Sequence, residues 1–270
     1  MDNPGLIDAH VHIRDHAGFA QLAAAGIAAA RDAGLRENAA GSGSLRPPQT
    51  GPVVIRACWA LYKRGGYGSL FGVPVDTREE IRTEIHKLKE AGAGIIKVMA
   101  SGIVNLSKPG GITLGGFTGE ELSFIVQESG RIGLSVMAHA NGEAIMASVR
   151  AGVRSVEHGF FMSEGALEVM AEKRTFWTPT VGALARAARR STVPKEGKEY
   201  AAGLIRSHLI MIRKAHTLGV ALAVGTDCVL PDPDYGSVYR AELEFFEQAG
   251  LGRDTVLAIA RDNGARLLGI

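Results

Sequence analysis

Two histidines one residue apart, His10 and His12, close the first apolar run of the chain, Leu6-Ile7-Asp8-Ala9-His10-Val11-His12. Side chains alternate across a strand, so these two share a face and project together from its end, where two imidazoles can grip one metal ion. Later apolar runs end in a similar way. His139 closes 134–138, His158 closes 153–157, and Asp227 follows 220–226. Lys97 stands inside the run Gly94-Ile95-Ile96-Lys97-Val98-Met99-Ala100. An ammonium there faces a large desolvation cost unless it is paired or chemically altered. Carboxylation by carbon dioxide would convert it to an anionic carbamate whose two oxygens can bridge two divalent ions. Taken singly, each residue has an ordinary reading: a histidine can pack in a core, an aspartate can cap a turn, a lysine can snorkel. Their joint occurrence at strand ends points to a metal site.

Such convergence needs a scaffold that brings many strand ends to one mouth. Short apolar runs alternate with amphipathic stretches along the whole chain, the pattern of parallel strands separated by covering helices. Strands are expected at 6–12, 26–32, 53–60, 94–100, 134–139, 153–157, 175–180 and 220–226, with helices at 19–25, 78–91, 119–130, 143–151, 164–173, 201–218 and 238–248. Eight such units in about 250 residues make an α/β chain of the (β/α)8 TIM-barrel size, whose catalytic groups sit at the carboxyl ends of the strands. Asp76-Thr77 ahead of Glu79-Glu80 reads as a capped helix start, and Gly92, Gly133, Gly152 and Gly219 each follow a helix and precede a strand. The segment 38–52, with Gly41-Ser42-Gly43-Ser44 and Pro47-Pro48, has no periodicity and is expected to be a mobile loop in place of the second helix; 186–198 is expected to be a long loop above strand 7.

Composition narrows the function. With 270 residues, 46% hydrophobic and 21% charged, the chain suits one large domain, and 30 basic residues nearly balance 28 acidic ones. Nucleic acid is therefore not an expected partner. Cys58 and Cys228 lack metal-finger spacing and suggest no disulfide framework, so a reducing cytoplasm is the expected location. Neither a signal-peptide start nor a run approaching the ~20 apolar residues of a membrane span is present, and no membrane association is expected. His86, His208 and His216 fall in polar helical stretches and are expected to be solvated, His16 lies in the first loop, and Cys228 is expected to pack.

At this point the chain resembles the amidohydrolase superfamily, through Asp8-Ala9-His10-Val11-His12, Ile96-Lys97-Val98-Met99-Ala100-Ser101-Gly102, His139-Ala140, Glu157-His158-Gly159 and Gly225-Thr226-Asp227. It looks most like the imidazolonepropionase-related branch that includes metal-dependent Xaa-Pro dipeptidases and related carboxypeptidases. The resemblance implies that His10, His12 and Asp227 hold one metal, His139 and His158 a second, and carboxylated Lys97 bridges them. Two zinc ions are expected, though other divalent transition metals suit the donors. It further implies hydrolysis of a C–N bond in an amide, dipeptide-like or cyclic amide substrate by a metal-bridging hydroxide, with Asp227 as the proton shuttle. Two departures stand out. Relatives usually carry flanking strands that build a small β-sandwich beside the barrel, whereas this chain is expected to be a single barrel domain; and where the related branch often has Gly-Gly-His-Gly this chain has Gly65-Gly66-Tyr67-Gly68.

Tyr67 is thus an expected substrate contact, among loop residues that include Tyr62, Arg64, Lys108 and Tyr235. Arg14 is another, because the opening run also looks like that of dihydroorotases, whose arginine beyond the histidines meets a substrate carboxylate. A mononuclear deaminase or lactonase, with Glu143 as a proton donor, and a catalytically inactive metal-binding barrel remain alternatives, and assembly into a homo-oligomer is left open.

Overall fold

The computed structural model describes residues 5–40, 45–108 and 110–270. Strands β1 (Leu6–Ile13), β2 (Ile27–Asp32), β3 (Val53–Arg56), β4 (Ala60–Lys63), β5 (Gly72–Val75), β6 (Ile96–Met99), β7 (Val136–Ala140), β8 (Ser155–His158), β9 (Phe176–Thr178) and β10 (Cys228–Leu230) pair in parallel throughout. Between and after them run α1 (His16–Ala24), α2 (Arg78–Glu90), α3 (Gly119–Arg131), α4 (Glu143–Ala151), α5 (Glu164–Lys173), α6 (Val181–Ala188), α7 (Lys195–Thr217), α8 (Tyr235–Gln248), α9 (Arg253–Ala258) and α10 (Gly264–Leu268). The helices form because apolar residues recur on one face, as with Ile81, Ile85 and Leu88 of α2, all buried. Thr77 and Glu80 cap that helix reciprocally, Glu80 N–H donating to Thr77 Oγ1 at 3.1 Å and Thr77 N–H to Glu80 Oε2 at 3.2 Å.

Two ladders, β10-β1-β2-β3 and β5-β4-β6-β7-β8-β9, join into a closed TIM barrel. One seam lies where β3 passes into β4. The expected single strand 53–60 is broken at 57–59, where Cys58 takes φ 63°, so β3 pairs with β2 while β4 pairs with β6 and with β5 at the rim. The other seam is the expected last strand, 220–226. It carries no regular ladder, yet Trp177 N–H donates to Ala221 O at 2.9 Å, Ala223 N–H to Trp177 O at 2.9 Å, and Ala9 N–H to Val224 O at 2.8 Å. This segment closes the wall, and the regular pairing with β1 begins only at β10.

Three expectations need correction. Within 38–52, a short 3₁₀ turn spans Arg36–Ala40 and irregular chain follows from 45; the Gly-Ser stretch 41–44 lies outside the described residues. The expected loop 186–198 begins inside a helix, since α6 runs to Ala188, and α7 starts at Lys195 rather than at 201. His208 is buried, not solvated: its ring stacks on Phe160 at 4.5 Å between centroids and meets Trp177 edge-on at 5.1 Å. Among the described residues no helix is long and apolar enough to cross a membrane.

Candidate metal centre

A cavity of ≈ 430 Å³ opens at the carboxyl ends of the strands, and His10, His12, Lys97, His139, His158 and Asp227 all line it. Tyr67 lines it as well, its ring 5.3 Å from that of His139. Arg14 does not: it is exposed, with Nε 3.7 Å from Glu37 Oε1. Of the other loop residues, Arg64 pairs with Glu80 and Tyr235 is buried with its hydroxyl on Asp8, while Glu143 is exposed in the first turn of α4.

Each ring is fixed by a partner on its far nitrogen. His10 Nδ1 donates to Glu157 Oε2 at 2.8 Å, and His12 Nδ1 donates to the Gly34 carbonyl at 2.6 Å. Both partners can only accept, so a neutral ring has its single proton on Nδ1 and an Nε2 lone pair facing the cavity. Those two Nε2 atoms lie 3.4 and 3.2 Å from Asp227 Oδ1, and His10 Nε2 is buried without a hydrogen bond. Three lone pairs thus converge on one point, an arrangement that a cation satisfies and an apolar group does not. The three ligand atoms lie within 4.8 Å of one another.

His139 and His158 stand beside them, with ring centroids 4.5 Å apart. His139 Nε2 lies 3.1 Å from Gly102 O and 3.2 Å from Asn141 Nδ2, so its hydrogen bonds are made on that nitrogen and not on Nδ1, while His158 Nδ1 bonds Thr180 Oγ1 at 2.7 Å, leaving Nε2 free. Burial first, then the Lys97 charge, lowers the His10 pKa to about 4 and that of His139 to about 3; burial and the His139 ring push His158 well below its ordinary range. These imidazoles are neutral at pH 7 and able to ligate. Burial pushes the Asp227 carboxyl up, but the His12 contact and the neighbouring rings together pull it further down, so it is an anion. Lys97 is 1% exposed, and burial lowers its amine to about 8 against the pull of Glu157 and Asp227. A neutral amine is the form that attacks carbon dioxide, and burial brings that form closer to neutral pH than in a free lysine.

The wall behind the ligands holds groups the sequence reading left without a role. Glu157, fully buried, accepts from His10 and also from Arg31 Nη2 at 2.8 Å, and Arg31 Nε donates to the Ala9 carbonyl at 2.7 Å. Burial opposes its charge, but the Arg31 guanidinium and His10 hold it well below the usual carboxylate range. Asp8 accepts from Thr226 N at 3.1 Å, Thr226 Oγ1 at 2.7 Å and Tyr235 Oη at 3.0 Å, tying β1 to the segment that carries Asp227. Gly225 makes that crossing possible, since a Cβ there would stand 2.8 Å from His10 Cβ and 2.5 Å from Thr178 Cγ2. A charged residue inside an apolar run, as with Arg31 and Glu157, was the available signal.

The chain matches the amidohydrolase family over residues 3–270. It belongs to that family. Among curated relatives, this amidohydrolase is 31% identical over 228 residues to ochratoxinase of Aspergillus niger, covering 74% of the chain and 46% of the relative. It therefore spans about half the length of the curated relatives it matches. Among solved structures, A. niger ochratoxinase superposes with a TM-score of 0.80 at 25% identity, covering 98% of this chain and 71% of that one. A Xaa-Pro dipeptidase with methionine bound in its active site superposes with a TM-score of 0.77 at 25% identity, covering 99% of this chain and 75% of that one.

Proposed function

We propose that this amidohydrolase is a metal-dependent enzyme hydrolysing the C–N bond of an amide or dipeptide-like small molecule. The observation that carries the reading is the convergence of His10 Nε2, His12 Nε2 and Asp227 Oδ1 on one point beside His139, His158 and Lys97, in a cavity at the strand ends. His10, His12 and Asp227 would hold one ion, and His139 and His158 a second. Lys97, as its carbamate, would bridge the two. Imidazole and carboxylate donors suit zinc. Bound there, the metal supplies polarisation of the carbonyl and a lowered pKa for the attacking water.

The remaining work falls to side chains. Asp227, an anion lining the cavity, takes a proton from the attacking water and returns it to the leaving nitrogen, so that the C–N bond breaks to an acid and an amine. Glu157 and Gly34 keep both imidazoles of β1 in the tautomer that presents Nε2. The likeness to ochratoxinase and to a Xaa-Pro dipeptidase supports this choice of bond.

Elemental analysis of zinc-loaded protein, together with turnover of N-acyl amino acids, dipeptides, lactones and amino-substituted heterocycles, tests the reading. Two ions per chain with cleavage of amides or dipeptides is the expected outcome. One ion with deamination or lactone opening would replace it by the mononuclear alternative, and full loading with no turnover of any class would favour an inactive barrel.

A further inference from the structure

The cavity lining outside the ligands mixes apolar and cationic groups. Leu70 and Phe71 after β4 and Ile103 and Val104 after β6 give it apolar lining, with Leu70 75% exposed. Helix α6 and the turn that follows it bring Arg186 and, four residues on, Arg190 to the same cavity. Arg186 Nη2 donates to the carbonyls of Thr226 at 2.9 Å and Asp227 at 3.2 Å, and its Nη1 is buried without a hydrogen bond. Neither guanidinium has a carboxylate within ion-pair distance among the described residues. Glu242, buried beneath α6, has its oxygens on the amides of Val181 and Gly182 at 2.8 and 2.7 Å.

Among the described residues that line the cavity, Lys97, Arg186 and Arg190 face one acid, Asp227, with the Glu157–Arg31 ion pair behind them. With Lys97 as a carbamate, two divalent ions would still leave the cavity positive. A positive, partly enclosed site favours an anionic ligand. Arg14, the arginine that the sequence offered for a carboxylate, stands outside the cavity against Glu37.

The geometry points to an anion subsite at the mouth, in which Arg190, supported by Arg186, holds a carboxylate of the substrate while an apolar group lies against Leu70 and Phe71. The subsite makes Arg190 a specificity-determining residue. As a statement about turnover it rests on the hydrolase reading; as a statement about binding it does not.

The test compares N-benzoyl-L-leucine with N-benzoyl-isopentylamine, which has the same amide and lacks only the carboxylate, in the zinc-loaded wild-type chain, Arg190→Ala and Arg190→Glu. Arg190 is exposed, so its replacement leaves the core intact. The wild type should have a KM about tenfold lower for the acid. Arg190→Ala should remove most of that advantage through KM, with kcat and the neutral compound unchanged, and Arg190→Glu should reverse it. Equal KM values in the wild type, or a preference that survives Arg190→Ala, would overturn the subsite. If neither compound is cleaved, the hydrolase reading fails for them, and equilibrium dialysis decides the subsite. Tighter binding of the acid that Arg190→Ala abolishes upholds it; equal binding, or an acid preference that is unchanged in Arg190→Ala, overturns it.

Discussion

The floor of the cavity and its rim are built on different terms. On the floor, His10, His139 and His158 are buried at strand ends and each has its far nitrogen engaged by a fixed acceptor or hydroxyl. On the rim, Tyr67, Leu70, Ile103 and Arg190 stand on loops or a helix end, partly or wholly exposed. Strand register fixes the floor to within a hydrogen bond, whereas the rim takes its position from the packing of connecting segments. The floor sets what chemistry occurs, and the rim sets which molecule receives it.

If that division holds, damage to the floor should appear in ion content and kcat, and damage to the rim in KM. The largest effect is expected from Asp227→Asn, which should retain metal yet lower kcat by about a thousandfold in a steady-state assay of the best amide substrate. Normal turnover would remove the aspartate from its role. Lys97→Ala should lose paired-ion occupancy by elemental analysis and recover part of its activity with added short carboxylic acids; two tightly held ions in that variant would contradict the bridge. Glu157→Gln should weaken metal affinity by about tenfold to a hundredfold in a competitive chelator titration, because one amide oxygen cannot accept from both Arg31 and His10. Tyr67→Phe should change KM a fewfold and leave ion content alone, and a collapse of metal binding there would erase the boundary between floor and rim.

A smaller, pH-dependent effect tests the wall outside the ligand set. Burial lowers the His208 pKa from 6.5 to about 4. The unfolded chain therefore takes up a proton that the folded one excludes, so this contribution is complete above pH 6.5 and is lost as the pH falls towards 4. The full loss is roughly 3 kcal/mol. Denaturant titrations from pH 7 to 4 should show a shallower slope in His208→Leu than in the wild type; identical slopes would dismiss the histidine as a source.

The floor was the legible part of the sequence. Alternation at His10 and His12 and the closing positions of His139 and His158 follow from strand geometry alone, and α2 announces itself through Thr77 and Glu80. The break at Cys58 was not legible, because a left-handed residue inside an apolar run is imposed by barrel closure rather than by local preference. Helix α6 has good helix-forming alanines, but the residue before it, Thr180, is left-handed at φ 48° and gives no side-chain cap, and its first amides are met by Glu242 from far along the chain. Arg31 and Glu157 could be read as improbable charges in apolar runs, but nothing local pairs them. Arg14 illustrates the opposite case: a suggestive neighbour of the histidines whose loop turns it outward to solvent and Glu37.

One carboxylate, Glu157, is shared by a guanidinium on β2 and an imidazole on β1. The molecule consequently has no independent adjustment for its ligand geometry and its internal framework. An exchange at any one of positions 10, 31 or 157 strands a charge or a lone pair among the others, so viable descendants must alter these three together or keep them together.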